Sequence, residues 1–352
     1  MNLAMRTAPR LSARAGPAPV PPSLPGGPTT SVAPVHRTYR GRVLATAPTV
    51  LAEDEWVPVA EEHRRAVEAL TAGHRERALA GEPHPVEDFL FTYYRFRPGQ
   101  LARWHPGAGV VLLGAAARER LAWRGYARWA GPDGDVDGPG GVVVDAAGVA
   151  ASQGRRLGHV RDVVAATRGR APELGCFGLH EWAMVHGSAA DPSVLRHERQ
   201  PLRLGAAGTD AVVEEGARRG WLRCTHVDAF RFYPGSAVEL SPLRPARDTQ
   251  AALEQPGCLH AGMDLYRAAF LLVPLAPSSL VLDAFRLARD VRELDMRASP
   301  YDLSRYGREP VRVETSEGRA QYATEQRALA ARGQALRDRL LPLLDAVVVP
   351  AR

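Results

Sequence analysis

The chain contains no lysine and no isoleucine, a single asparagine (Asn2) and three cysteines. Lysine, isoleucine and asparagine share AT-rich codons, so a GC-rich genome accounts for their shortage, but the chemical consequences hold regardless. Without lysine there is no Schiff-base nucleophile and no covalent pyridoxal site. The lysines that P-loop and protein-kinase phosphate sites depend on are missing too. Every cation is arginine or histidine, so anions must be held by planar, bidentate donors. Three cysteines are too few for a disulfide framework, and an odd, low count fits a reducing compartment or thiols used as ligands. No stretch approaches the roughly 18 uncharged apolar residues of a membrane span, so no membrane partner is expected. The apolar core of a secretory signal is also absent, which points to the cytoplasm.

The sequence has 352 residues, 45% of them hydrophobic and 24% charged, enough for one large domain or two small ones. The formal net charge of +6 is unevenly placed. Residues 1–50 hold Arg6, Arg10, Arg14, Arg37, Arg40 and Arg42 and no acid, so residues 51–352 carry 39 arginines against 39 acids. A basic face on the body must therefore come from local clustering. Residues 1–35 carry eight prolines and little hydrophobic periodicity, which predicts a disordered tail over residues 1–50. A catalytic domain over residues 51–352 follows, with a sub-boundary expected near residues 131–150, where 131–141 is turn-rich and acidic.

Periodicity predicts helices over residues 53–79, 85–96, 155–167, 179–186, 250–272 (broken at Pro256-Gly257), 278–297 and 317–344. Residues 209–219 fit helix or strand. Residues 109–114, 141–145 and 222–232 read as short strands. The expected fold class is α+β, predominantly helical, with a few short strands.

The segment 224–232, CTHVDAFRF, carries the most chemistry. As a strand it lines Cys224, His226, Asp228, Phe230 and Phe232 along one side. That would set a titratable pair beside two rings, as a pocket wall for a flat, hydrogen-bonding ligand such as a base requires. The plainer alternative is a buried strand with a satisfied His-Asp pair. In residues 176–186, Cys176 and His180 stand at i and i+4 with Glu181 alongside, but His180 and His186 are six apart, so the spacing is not that of a zincin. In residues 254–266, His260 and Asp264 follow the Pro256-Gly257 break at i and i+4, ahead of Tyr266. Each cysteine precedes a histidine by four residues or fewer. Such sets can hold zinc, although the C-x-x-C knuckle is missing. Around residues 290–302, acids and arginines alternate, which reads either as a surface salt-bridge lattice or as Asp295 or Asp302 entering a cleft.

Between Arg95 and Arg128 there are seven arginines and one acid, Glu119, with aromatics interleaved. Arg95, Arg97, Arg103, Trp104, His105 and Arg124 are the candidate nucleic-acid contacts, guanidinium groups for phosphates and rings for stacking. Alternatively these arginines pair with Glu82, Glu87, Asp88 and the acids of residues 133–137.

Four runs carry a family resemblance: GCFGLHEWAMV at 175–185, THVDAFRF at 225–232, EQPGCLH at 254–260 and DMRASPYD at 295–302. Over roughly residues 85–345 the chain resembles an actinobacterial family commonly labelled 3-methyladenine DNA glycosylase. It lacks the glycine-rich turn of the helix-hairpin-helix type, so the resemblance implies another structural type. It implies a DNA partner and excision of an everted base, in repair of alkylated bases or attack on modified foreign DNA. With no lysine, such an enzyme is monofunctional and leaves an abasic site. The residues that match this chemistry are Asp228, then Glu181, with His226 and Asp264, as catalytic groups. Phe230, Phe232, His180, His260 and Tyr266 would form the base pocket, with no cofactor. A metal-dependent hydrolase or oxygenase is the rival, holding a divalent metal through His180, His226 and His260. A non-enzymatic DNA-binding protein is the third reading.

Overall fold

A computed structural model describes residues 48–131, 140–195 and 200–348, apart from the side chain of Arg155. Most of the expected tail, and the acidic turn at 132–139, lie outside the described residues. Thr49 and Val50, placed in the tail by sequence, instead belong to strand β1 (Thr49–Leu51).

Helix α1 (Glu53–Ala80) opens with Glu53, Asp54 and Glu55 at its positive end, and the Ala52 amide donates to Glu55 Oε2 at 2.7 Å. Gly81, at φ +72°, ends it in the left-handed region. The expected helix over 85–96 shrinks to α2 (Phe89–Tyr93), and α3 (Pro98–Leu101) follows. Three strands come next, β2 (Val110–Leu112), β3 (Tyr126–Trp129) and β4 (Gly141–Val144). The sheet order is β1-β2-β4-β3, with β1 and β2 parallel and the other pairs antiparallel. Leu112, Val142 and Val144 share one side of the sheet, and Leu112 and Val142 pack there with Trp56. Strand β4 is paired on both edges, with β2 and with β3.

The remaining elements are helical: α4 (Ala146–Arg168), α5 (Leu179–Ala183), α6 (Gly205–Arg218), α7 (Val227–Phe230), α8 (Gly235–Leu240), α9 (Gln250–Leu253), α10 (Leu259–Leu271), α11 (Ser278–Arg297) and α12 (Ser316–Val347). The predominantly helical α+β class is as expected. Helices α10 and α11 form the centre, and α12 packs across both and against α4. The apolar stripe of α11 (Leu280, Ala284, Leu287, Ala288, Val291) is buried in the main core. Among the described residues no helix is long and apolar enough to cross a membrane.

The strand expected over 222–232 is not formed. The chain runs irregularly to His226 and then turns into α7, where the Phe230 amide bonds the His226 carbonyl at 3.0 Å and the Arg231 amide bonds the Val227 carbonyl at 3.1 Å. Local i to i−4 bonding satisfies this backbone without a neighbouring strand, so alternate residues do not share a face.

Candidate functional site

Three histidines from distant parts of the sequence meet in the interior. His180 is the second residue of α5, His226 caps α7, and His260 is the second residue of α10. The His180 and His260 rings lie 4.6 Å apart edge-on, and the His226 and His260 rings 5.3 Å apart. Two glycines shape the approach. Gly178, at φ +70°, turns the chain into α5. A Cβ on Gly257 would stand 2.3 Å from the Glu173 carbonyl oxygen, so only glycine lets the loop before α10 pass.

Carboxylates flank the histidines at both ends. At one end His180 Nε2 donates to Asp295 Oδ1 at 2.8 Å, and the Arg292 guanidinium reaches Asp295 Oδ2 at 2.9 Å and Glu181 Oε1 at 3.3 Å. Arg292 is itself buried and stacks 3.9 Å from the Phe89 ring centre. Burial opposes the charge on Asp295, but His180, His260 and Arg292 outweigh it and hold its carboxyl well below the ordinary range. Burial and the neighbouring Asp295 push Glu181 up. At the other end His226 Nε2 lies 3.4 Å from Asp264 Oδ2 and 3.6 Å from Glu254 Oε2, at ion-pair range without hydrogen-bond alignment. Tyr94 donates to Asp264 Oδ1 at 2.7 Å. Burial works against ionised Asp264, yet His226 and Tyr94 bring its net value down. Burial lowers His226, and Asp264 and Glu254 more than reverse this, whereas His260, desolvated and beside His180, is driven well below its ordinary value.

Asp264 and Glu254 also line a pocket of about 200 Å³ between α4, α9, α10 and α12. Val163, Val164 and Leu265 supply apolar walls, and Arg156, Arg247 and Arg267 stand around it. The Asp264 side chain is 17% exposed, whereas Asp295 is fully enclosed. Asp264 is thus the carboxylate of the cluster that a ligand in this pocket can reach.

Asp228, the first choice on sequence grounds, is buried beside the site and held by Arg247 at 3.2 Å and Arg231 at 3.5 Å. Phe230 leans on Tyr233, and Phe232 carries the Arg231 guanidinium over its face; neither lines the pocket. Tyr266 lies in the core against Tyr94, Phe96 and Phe285. His180, Glu181, His226, His260 and Asp264 do come together. Sequence reading missed Tyr94 and Glu254, whose partners are too far along the chain for spacing to reveal, and Arg292, which pairs with Asp295 one helical turn on but also reaches Glu181 from across the fold. The thiols are free, and burial pushes Cys224 up to about 12 and Cys176 and Cys258 upward, which leaves them inert.

On the candidate DNA face, Arg95, Arg97, Arg103 and Arg124 are exposed and make no ion pair among the described residues. Glu87 and Asp88 are taken by Arg77 and Arg308, which removes two of the partners that would have neutralised this stretch. Trp104 and His105 turn inward instead. Trp104 stacks on Trp56, and His105 shares a 2.8 Å hydrogen bond with the Tyr126 hydroxyl. Arg120 is buried, with its guanidinium 4.3, 5.6 and 5.1 Å from the ring centres of Trp56, Trp104 and Trp123.

No protein-family model, curated protein or solved structure matches the chain.

Proposed function

We propose that this chain is a monofunctional DNA N-glycosylase. The observation that carries the reading is a carboxylate held toward its ionised form, Asp264, lining a partly apolar pocket with several arginines. Breaking an N-glycosidic bond builds positive charge on the sugar, and a fixed carboxylate stabilises it. The electron pair of the C1′–N bond leaves with the base. A water oxygen then bonds C1′ and gives its proton to Asp264. Tyr94 and His226 hold the carboxylate in place, and the everted base rests between aliphatic walls.

The polyanion would be held outside this pocket. Arg156, Arg231 and Arg247 are exposed around the acids, and Arg95 and Arg97 follow directly on the Tyr94 that touches Asp264. Exposed guanidinium groups suit the phosphates that flank an extruded nucleotide. With no lysine, the product is an abasic site rather than a cleaved strand. The free thiols fit the cytoplasm, where we place the enzyme.

The test is incubation of the purified chain with duplexes carrying alkylated or hypermodified bases, followed by hot alkali. The reading expects strand breaks at the modified position only after alkali. Intact strands with every such substrate would overturn it.

A further inference from the structure

We infer that His180, Glu181, His260 and Asp295 form a binding site for one divalent transition cation of the zinc class. This goes beyond base release, which needs only Asp264 and the pocket.

Geometry comes first. One donor atom from each of the four residues falls within 4.8 Å of every other, and all four residues are buried. Donors bound to zinc at about 2.0–2.2 Å stand roughly 3.3 Å apart, so small side-chain adjustments close the set on an ion. Arg292 occupies Asp295 Oδ2 and Glu181 Oε1, which leaves the second Glu181 oxygen; Asp295 Oδ1 accepts from His180 Nε2, and that contact would open for both residues to coordinate.

The second observation is unmet bonding. His260 Nδ1 is shielded from solvent and has no hydrogen-bond partner, in a residue only 8% exposed. Buried ring nitrogens are ordinarily satisfied, and a nitrogen without a partner inside a cluster of ligand atoms is what coordination would satisfy.

The donor set is the third. Two imidazoles with two carboxylates and no thiolate select a borderline cation over magnesium, calcium or copper(I). Tying α5, α10 and α11 together, the ion would act as an internal cross-link.

The experiment uses the full chain, purified without a histidine tag or chelator, with metal measured by mass spectrometry and the ligand shell by X-ray absorption. The site predicts about one zinc-class ion per chain and a shell of nitrogen and oxygen with imidazole scattering. H260A should weaken zinc affinity by roughly a hundredfold, whereas H226A should keep the ion. A folded wild-type chain that carries no metal and takes up none from added zinc chloride would overturn the site. So would a sulfur-containing shell, or full retention in H260A. Should H260A not fold, the wild-type content and shell still decide. None of these readouts involves DNA, so failure of the glycosylase assay leaves this result standing, and the converse.

Discussion

Tyr94 donates its phenolic hydrogen to Asp264 Oδ1 at 2.7 Å, across 170 residues of sequence. The bond joins the end of α2 to the middle of α10, and it leaves Asp264 with one oxygen toward Tyr94 and the other toward His226. Y94F should therefore lower base release with little change in DNA binding, by about tenfold if it acts through one hydrogen bond to a charged group. Single-turnover rates at saturating enzyme measure this directly, and an unchanged rate would remove Tyr94 from the account.

The exposed arginines make a salt-dependence prediction. The double reversal R97E with R103E should weaken DNA binding. It should also reduce the slope of log affinity against log salt by about 1.8, near 0.9 for each lost phosphate contact. Fluorescence anisotropy across a salt series reads both. A slope equal to that of the wild type would move the DNA elsewhere.

A charge buried among indoles should be costly to lose. Arg120 is 5% exposed and faces three tryptophans, so R120A gives up both cation–π attraction and packing, about 2–4 kcal/mol of stability. Urea denaturation would show it. A change under roughly 0.5 kcal/mol is what an ordinary surface position gives and would contradict this reading.

His105 sets an acid limb. Burial, with Arg120 and Arg103 nearby, lowers its value from 6.5 to about 4. A lowered histidine contributes stability that is complete above the unfolded value and fades as pH falls through the folded one. The loss therefore runs from about pH 6.5 to 4 and reaches on the order of 3 kcal/mol. In H105F the melting temperature should fall less over that window. Parallel profiles for the two proteins would contradict the assignment.

Long, amphipathic elements were legible from sequence. The 3.6-residue stripe of α11 gave its limits at Ser278 and Arg297, because burial of that stripe is what makes the helix. Residues 222–232 misled because alternation of Cys224, His226, Asp228 and Phe230 carries no information on whether a partner strand exists. The isolated pattern was settled by a single helical turn. Strand β3 was overlooked, since three of its four residues are aromatic or arginine and only pairing with β4 sets them in order. At the site, His260 and Asp264 were legible as an i, i+4 pair on one helix. Their meeting with His180 and His226 was not, because it depends on the packing of α5 and α7 against α10. The ranking of acids shifted for the same reason. Arg247 binds Asp228, whereas Asp264 remains open to the pocket.

The most direct test of the central claim compares D264N with wild type in an abasic-site assay on modified duplex DNA, with binding measured in parallel. The account predicts at least roughly a hundredfold slower base release with affinity within about threefold of wild type. Excision at the wild-type rate by D264N would contradict it.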